Sequence, residues 1–341
     1  MLKRRLIESL EDLNSNEFDV VVLPHFCIDS SLKYKGGGSF IDNFEKIQRQ
    51  GGGNIEVQQN LHIGGKAANC ASALLSLGIR THLIAKTDQL GYIFLEHLLG
   101  IEGVDLSHVK RNGDMAITTA IELDGANVML SDPGSASQFG PECLTDDDEK
   151  LIGRSDIISI SDWGLNEKGT ELAEYVFGIV RSEGDGKTFF DPGDPSPKGL
   201  KKSEEIEWIV GRVLSKGLID VLGMNEDEAI AYGGDGGLSS SIDRLREMSR
   251  VDLHTKDYAR SYLKESKTGN IPAFDVRPMR LTGAGDAWNA GDILGEVMGI
   301  SDDLRLLLAN AVAAYYISDP DGRHPEREDL IEFLQEQTLK S

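Results

Sequence analysis

The sequence predicts an α/β fold in which a mostly parallel central sheet is covered by helices. Apolar runs of strand length alternate with helix-like patterns from residue 64 onward, and this alternation is typical of parallel sheets flanked by helices. The run at 18–23 is apolar and rich in β-branched residues, which indicates a strand buried on both faces. Several polar motifs directly follow predicted strands, where open α/β sheets bind their ligands.

The elements follow in chain order. A charged helix is predicted at 1–16, and Gly78 ends a helix over 67–77. Asp124-Gly125, between apolar runs at 117–123 and 127–131, predicts a hairpin. Further strands are predicted at 80–85, 157–160, 188–190, 219–222 and 251–253. Further helices are predicted at 93–99, 171–181, 206–215, 226–231, 241–248, 285–298 and 302–316.

Residues 35–60 contain two triple-glycine clusters, 36–38 and 51–53, among polar residues. Glycine turns of this kind predict either a mobile flap or a pair of strands joined by tight turns. The segment separates Asp29 from Gly64. If both of those residues belong to one site, the segment must leave and return beside it.

Composition and charge exclude several classes of function. The chain has 341 residues, of which 40% are hydrophobic, enough for one large α/β domain or two smaller ones. Its 35 basic and 57 acidic residues give a net charge of -22, which disfavours nucleic acid and anionic membranes as partners. No apolar run approaches the roughly 20 residues of a membrane span.

The cysteines and the N-terminal residues predict a cytoplasmic protein. Cys27, Cys70 and Cys143 are far apart and form no CxxC pattern, so reduced structural thiols are expected. The first 15 residues are charged and lack the apolar stretch of a signal peptide.

The most informative motif is Leu281-Thr-Gly-Ala-Gly-Asp286, which precedes a predicted helix. Thr282, Gly283, Ala284 and Gly285 are small and allow a ligand to approach the backbone, and a helix N-terminus with free N–H groups attracts anions. Asp286 lies at this N-terminus. It is either a helix cap or a general base beside an arriving phosphoryl group.

Two further motifs follow predicted elements. Asn225-Glu-Asp-Glu228 places several oxygen ligands in one turn after a strand; such ligands suit Mg²⁺, although a capped helix N-terminus has the same composition. Gly64-Gly65, followed by Lys66 and Asn69, opens the helix at 67–77. It is either a ligand-binding loop or an ordinary glycine turn.

In this order and spacing the three motifs resemble those of the PfkB/ribokinase family of carbohydrate and nucleoside kinases, over residues 19 to about 334. The resemblance implies a single ribokinase-like α/β domain over 1–341, with a small β-lid formed by about 30–62 and 115–132. It also implies homodimerisation through the lid. The implied acceptor-binding residues are Asp29, Gly64, Gly65, Lys66 and Asn69.

The resemblance also assigns the phosphoryl-transfer residues. Gly283, Ala284 and Gly285 would form an anion hole beside the catalytic Asp286, and Asn225 and Glu228 would hold Mg²⁺ through water. The implied nucleotide-binding residues are Asn225, Thr255, Thr282, Gly283, Gly285 and Asn310.

Two positions depart from the family pattern. Arg280 stands two residues before Thr282, where the family usually has an Asp that in many members helps to bind a monovalent cation; Arg280 either places a positive charge near phosphate or lies on the surface. After the strand at 251–253, His254-Thr255 lacks the glycine of the family's Thr-x-Gly. It is similar to a segment of archaeal ADP-dependent sugar kinases, so the donor is either ATP or ADP.

We therefore expect a kinase that phosphorylates a hydroxyl of a sugar, a nucleoside or a sugar phosphate such as ribose 1-phosphate, the acceptor of an archaeal branch of the family. Lys33, Lys35, Lys46 and Arg49 favour a phosphorylated acceptor, unless they are only solvated lid charges. One alternative is a non-catalytic sugar- or nucleotide-binding regulator on the same fold. The other, a dinucleotide-dependent dehydrogenase, would need a glycine cluster after the first strand, and residues 23–30 contain no glycine.

Overall fold

The computed structural model describes residues 1–13, 18–99, 105–123, 126–234 and 236–340, and its strands form a large sheet, a small sheet and one further pair of strands. The helices are α1 (Leu2–Glu11), α2 (Phe40–Arg49), α3 (Lys66–Ser76), α4 (Gln89–Leu99), α5 (Asp146–Arg154), α6 (Gly169–Glu183), α7 (Lys202–Arg212), α8 (Glu226–Gly233), α9 (Leu238–Leu245), α10 (Ala284–Val297), α11 (Asp302–Ser318) and α12 (Arg327–Glu336). The strands are β1 (Asp19–Leu23), β2 (Cys27–Tyr34), β3 (Val57–Gly64), β4 (Arg80–Leu83), β5 (Ala85–Lys86), β6 (Val109–Lys110), β7 (Ile117–Leu123), β8 (Ala126–Asp132), β9 (Ile157–Ser161), β10 (Lys187–Asp191), β11 (Val221–Met224), β12 (Arg250–His254), β13 (Tyr258–Tyr262) and β14 (Ile271–Pro272).

The large sheet has the order β14-β13-β12-β11-β10-β9-β1-β4. It is parallel from β12 to β4, while β13 and β14 pair antiparallel at one edge. The prediction of a mostly parallel α/β sheet is confirmed. Because the strands are parallel, their carboxyl ends lie along one edge of the sheet, and residues that follow them meet there.

Strand β1 shows how the sequence builds two cores. Val20 and Val22 point into a core packed by α3, α10 and α11, whereas Val21 and Leu23 point into a second core on the other face, packed by α6. All four side chains are buried. The alternation of side chains along a strand therefore explains why this run is apolar at every position.

The small sheet has the order β3-β2-β7-β8. Strand β2 pairs antiparallel with β3, so that Asp29 lies opposite His62, and it pairs parallel with β7, so that Asp29 lies beside Thr118. These three residues share one face, while Leu61 and Leu130 lie on the other face. The hairpin of β7 and β8 matches the predicted one; its turn, Asp124-Gly125, lies outside the described residues.

Of the two alternatives for residues 35–60, the pair of strands joined by tight turns is wrong, because the middle of the segment is the helix α2. Ser39 caps this helix by accepting a hydrogen bond from Asp42 N, and Lys46 and Arg49 lie in its last turn, where they complement the helix dipole. Gly38 and Gly51 adopt positive φ on either side of it. The glycine clusters therefore flank a helix and do not link two strands.

Other elements lie beyond the sequence-based prediction. Helix α5 begins at a capping box between Thr145 and Asp148, and β13, β14 and α12 were not predicted. The N-terminal helix ends at Glu11, earlier than residue 16, and residues 14–17 lie outside the described part of the chain. Within the described residues, no helix combines the length and apolarity needed to cross a bilayer.

Candidate active site

Asp286 lies in the first turn of α10 and is 6% exposed. The side-chain amide of Asn69, on α3, donates to its Oδ2 over 2.9 Å. Burial raises the pKa of Asp286 to about 7; Lys66 and the Asn69 hydrogen bond oppose this shift, and Asp191 adds to it. A carboxyl group with a pKa near 7 can both accept and release a proton at physiological pH.

The backbone before Asp286 leaves room for an anion. Gly283 has φ 85° and is the N-cap of α10, which has no side-chain cap. A Cβ on Gly283 would lie 2.5 Å from the hydroxyl of Tyr316, so both the backbone angle and the close contact require glycine. The first N–H groups of α10 are therefore not covered by a capping side chain, and the helix dipole favours negative charge beside them.

Lys66 joins this site through Asp191, the last residue of β10. Its Nζ lies 3.0 and 3.2 Å from the two Asp191 oxygens and 3.8 Å from Glu228 Oε1. Although burial acts in the opposite direction, Asp191, Glu228 and Asp286 raise the pKa of Lys66 well above its usual range. Lys66 is therefore a fixed positive charge among carboxylates.

Asp191 is a site residue that sequence reasoning missed. Its carboxylate also accepts hydrogen bonds from Asn289 Nδ2, at 2.6 Å, and from Gly193 N, at 2.9 Å. The available signal was its position, because it ends an apolar strand and precedes Pro-Gly. That is the same carboxyl edge at which Asn225 follows β11.

Asn225 and Glu228 form a capping box at the start of α8. Asn225 Oδ1 accepts from Glu228 N, and Glu228 Oε2 accepts from Asn225 N, each over 2.9 Å. Burial raises the pKa of Glu228 to about 7, with Asp191 acting in the same direction and Lys66 in the opposite one. The helix-cap interpretation thus holds for both residues, and Glu228 Oε1 remains directed toward Lys66.

The predicted acceptor-binding residues lie where the small sheet meets α3. Asp29 stands over Gly64, since a Cβ on Gly64 would lie 2.3 Å from the Asp29 carboxyl carbon. Cys27 Sγ donates to Asp29 Oδ1 over 3.3 Å, and burial raises the pKa of Asp29. Gly65 has φ 85°, and a Cβ there would lie 2.6 Å from a backbone oxygen. The absence of side chains at Gly64 and Gly65 therefore leaves room for the Asp29 carboxylate and lets the backbone turn into α3.

Asp29 and Asp286 approach the same side chains. Burial lowers the pKa of His25, whereas Asp162, Asp286 and Asp29 raise it. Burial also raises the pKa of Tyr316; Arg280 opposes this shift, and Asp286 and Asp29 add to it. The fold therefore brings together two residues that are 257 positions apart in the sequence.

Three expected nucleotide-binding residues have local structural roles or are exposed. The Thr255 hydroxyl donates to Tyr258 O and accepts from Asp257 N, within the turn between β12 and β13. Asn310 is buried and accepts a hydrogen bond from Trp288 Nε1; its amide donates to two backbone carbonyls. Thr282 is exposed beside the glycine loop.

His254 also has a structural setting. It packs on Trp288, with ring centroids 4.8 Å apart, and a Cβ on Gly285 would lie 3.7 Å from its Cε1. Burial lowers the pKa of His254 to about 4. It is therefore a neutral side chain beneath the glycine loop at physiological pH.

Arg280 contacts Tyr316 and the segment that follows α11. Its guanidinium carbon is 5.7 Å from the Tyr316 ring centre, and it donates to Pro320 O over 3.2 Å. Its charge adds to burial in lowering the pKa of His62, on the lid, and of His324, which falls to about 4. Among the described residues, Arg280 Nε has no hydrogen-bond partner.

The four basic residues of the predicted lid have a different environment from that of Arg280. The side chains of Lys33, Lys35, Lys46 and Arg49 are all exposed. Arg49 pairs with Glu45 over 2.9 Å, one turn earlier on α2.

Comparison with known proteins decides the family. Residues 38–329 match the model of the pfkB family carbohydrate kinases. The chain belongs to this family. The predicted family and the phosphotransferase activity are thus confirmed, and the protein is a carbohydrate or nucleoside kinase with an alcohol group as acceptor. Neither the dehydrogenase nor the non-catalytic regulator agrees with this result.

Individual relatives are distant but cover most of the chain. A 5-dehydro-2-deoxygluconokinase of Bacillus velezensis is 22% identical, over 94% of this chain and 96% of its own. A nucleoside kinase of Methanothermobacter thermautotrophicus is 26% identical, over 78% of this chain and 81% of its own. The Arabidopsis thaliana ribokinase solved with ribose and ATP shares the fold, with a TM-score of 0.73. It is 18% identical in sequence, and the superposition covers 93% of this chain and 99% of the ribokinase.

Proposed function

We propose that this pfkB-family kinase transfers the γ-phosphoryl group of ATP to a hydroxyl of a small anionic acceptor, with Asp286 as general base. The observation that carries the proposal is Asp286 itself, buried at an uncapped helix N-terminus, held by Asn69 and with its pKa raised to about 7. A helix cap needs neither this burial nor this pKa.

In the proposed step, Asp286 accepts the proton of the acceptor hydroxyl while the hydroxyl oxygen attacks the γ-phosphorus and ADP leaves. The N–H groups at Gly283, Ala284 and Gly285 stabilise the charge on the transferring phosphoryl group. Asp29 and the Gly64-Gly65 backbone position the acceptor. Closure of the lid, about 30–62 and 115–132, would exclude water from the reaction.

ATP is the proposed donor because the Arabidopsis ribokinase, which shares the fold, was solved with ATP. The alternative, ADP, rests on His254-Thr255. Both residues have local structural roles here, the first packing on Trp288 and the second capping a turn.

The residues present fit Mg²⁺ held through water. Asn225 Oδ1 and Glu228 Oε2 are engaged in the capping box, which leaves Glu228 Oε1, 3.8 Å from Lys66 Nζ, as the carboxylate oxygen that would contact a metal-bound water. Mg²⁺ usually keeps several waters and needs only one or two carboxylates. When bound, it would neutralise part of the phosphate charge. Lys66 contributes a second positive charge at the same edge.

Arg280 supports an anionic acceptor. It replaces the Asp of the family pattern, and its charge reaches His62 on the lid and Tyr316 beside Asp286. A guanidinium carries several donors in one plane, an arrangement that matches a carboxylate or a phosphate. The expected contribution of Lys33, Lys35, Lys46 and Arg49 stays a prediction, to be tested with Ala variants in the same assays.

The test is an acceptor screen with four sets: sugar acids, neutral sugars, nucleosides, and phosphosugars including ribose 1-phosphate. Each acceptor is supplied with ATP and, separately, with ADP. We expect turnover of an anionic acceptor with ATP. Turnover of neutral acceptors alone would contradict the anionic acceptor, and turnover with ADP alone would contradict the donor, while the kinase assignment would remain.

Arg280→Ala tests the acceptor charge directly, with Arg277→Ala as a matched control because Arg277 is exposed nearby. Loss of a charge-assisted hydrogen bond should weaken acceptor binding by about 1–3 kcal/mol. We expect this in KM for the anionic acceptor, with ATP affinity unchanged and Arg277→Ala equal to wild type. An unchanged KM in Arg280→Ala would place Arg280 outside the acceptor site.

The outer face of the lid supports homodimerisation. Four apolar side chains on the face opposite Asp29 are 38–57% exposed. They are Leu61, Ile117, Val128 and Leu130. An apolar sheet face of this kind is typical of a protein–protein interface, and a second copy of the chain would cover it by the same residues.

A further inference from the structure

Two histidines and an aspartate converge far from the proposed active site. One ligand atom from each of His82, Asp105 and His108 lies within 4.8 Å of the other two. Asp105 Oδ2 is 2.9 Å from His82 Nδ1 and 3.9 Å from His108 Nε2. Three ligands at about 2.1 Å from one tetrahedral Zn²⁺ would be about 3.4 Å apart. The observed spacing is thus close to that of a metal site.

The other nitrogen of each histidine is held by a second carboxylate. His82 Nε2 lies 3.0 Å from Asp19 Oδ1, and His108 Nδ1 lies 2.6 Å from Asp148 Oδ1. In proteins, metal-binding histidines usually donate their second N–H to a carboxylate or carbonyl, which fixes the tautomer. This arrangement occurs here at both histidines.

These contacts with Asp19 and Asp148 determine whether a protonated or an unprotonated ring nitrogen faces Asp105. A neutral imidazole that donates to Asp19 or Asp148 presents a lone pair at its other nitrogen. Asp105 Oδ1 already accepts from Ser107 N over 2.9 Å, so that Oδ2 is the oxygen directed at both rings. Acceptors then face one another, and only a proton or a metal cation between them makes the contact favourable.

The local charges favour a divalent cation. Arg80 pairs with Asp19, and Lys110 pairs with Asp148. The two outer carboxylates are therefore neutralised, and Asp105 is left as the one anionic ligand. Its side chain is 35% exposed, compared with 8% for His82 and 15% for His108. This gives an ion a path from solvent.

We propose that His82 Nδ1, Asp105 Oδ2 and His108 Nε2 bind a transition-metal ion of the Zn²⁺ class, with water as the fourth ligand. Two imidazoles and one carboxylate suit Zn²⁺ and Co²⁺ better than Mg²⁺. Asp19 begins β1 and His82 lies within β4, so the ion would join the edge of the large sheet to the 105–108 segment and to α5. Its role would be structural, because the proposed active site lies beyond the opposite ends of the strands.

The experiment is a titration of the chelator-treated full-length protein with Co²⁺ and with Zn²⁺, without nucleotide or acceptor. We expect one equivalent of Co²⁺ to give the intense visible absorption of a four-coordinate site, and Zn²⁺ to displace it. Loss of a residue that only supports a metal ligand typically weakens metal binding by about 10–100-fold. Asp105→Asn and His108→Gln remove ligands themselves, so each should weaken Co²⁺ binding by more than that. His97→Gln, an exposed histidine on α4, should bind like wild type.

Glu228→Gln separates this site from the active site, and its Co²⁺ affinity should equal that of wild type. Three outcomes would overturn the proposal. His108→Gln could bind Co²⁺ as tightly as wild type, or Glu228→Gln could lose Co²⁺ binding. The wild-type protein could also bind no Co²⁺, in which case a proton bridges the cluster. Anomalous scattering at the zinc edge from Zn²⁺-soaked wild-type crystals tests the location without any variant. Zinc density away from these three residues would also overturn it.

Discussion

At the scale of single residues, the proposed mechanism depends on buried carboxyl groups whose environments differ. Asp286 and Glu228 have pKa values raised to about 7 by burial. Burial would also raise the pKa of Asp252, but the charges of Arg305 and Arg250 outweigh it and lower this pKa to about 2. Groups with a raised pKa are suited to proton transfer, whereas groups with a lowered pKa remain ionised and hold the structure.

Asp286→Asn should lower kcat by about 10²–10⁴ while leaving the fold and ATP binding near normal, because the amide retains the hydrogen bond to Asn69 but cannot take a proton. The measurement is steady-state kinetics with ATP binding by calorimetry. Asp303→Asn, an exposed residue in the first turn of α11, is the control and should keep full turnover. If both variants keep it, Asp286 is only a helix residue.

The pH dependence follows from the same group. A base works when deprotonated, so kcat/KM should rise as the pH increases through about 7, the pKa of Asp286 in the free protein, and level off above it. The measurement is kcat/KM from pH 5 to pH 9 at saturating Mg²⁺. A rise centred near 4 would show that Asp286 has an ordinary pKa and would contradict the buried-base assignment.

Glu228→Gln should raise the Mg²⁺ concentration needed for half-maximal activity more than it raises the acceptor KM. Glutamine can still complete the capping box with Asn225, so the substitution removes the charge and keeps the helix start. The measurement is a Mg²⁺ titration of activity. An unchanged titration would limit Glu228 to the helix cap.

At the scale of elements, a buried ionic network joins β12, α10 and α11. Arg305 is 1% exposed and contacts Asp252 on β12 and Asp292 on α10. Ser261 on β13 accepts from the same guanidinium over 2.8 Å. Because α10 carries Asp286 at its start, this network fixes the helix that positions the proposed base.

Arg305→Met should therefore lower the free energy of unfolding by about 3–5 kcal/mol, the cost of leaving buried carboxylates without a partner. Arg4→Met is a matched control, because Arg4 pairs with Glu8 on the exposed face of α1, and it should cost no more than about 1 kcal/mol. Denaturant unfolding measures both. Equal losses would show that the network adds nothing beyond a surface pair.

At the scale of the whole molecule, the small sheet has one polar face with Asp29 and one apolar face exposed to solvent. A sheet with this division can cover a substrate on one side and a second protein on the other. The lid would then link acceptor binding to assembly.

Leu130→Lys should dissociate the proposed homodimer, because it places a charge among apolar side chains on the outer face. Met129→Lys is the matched control, since Met129 is 48% exposed but lies on the opposite face of the same strand. Sedimentation equilibrium measures the mass of each variant. A wild-type monomer, or equal dissociation by both substitutions, would contradict the lid interface.

The sequence by itself determined the α/β class, the order of most strands and helices, and the family. Apolar runs such as 18–23 are local patterns, and Gly283-Ala-Gly-Asp286 is a contiguous motif, so neither needs a partner distant in sequence to be recognised. Helix α2 was missed because its glycine flanks dominated the pattern, whereas the Ser39 cap and the Glu45–Arg49 pair support it through weak local contacts.

Only the tertiary structure decided which polar groups meet. Asp191, Lys66 and Glu228 are separated by more than 30 residues from one another, and parallel β10 and β11 bring two of them to one edge. No cysteine–histidine spacing in the sequence predicts a metal site, yet the fold places donor atoms of His82, Asp105 and His108 within 4.8 Å of one another. Burial, which raises the pKa of Asp286, comes from packing of the whole chain, and no local pattern contains it.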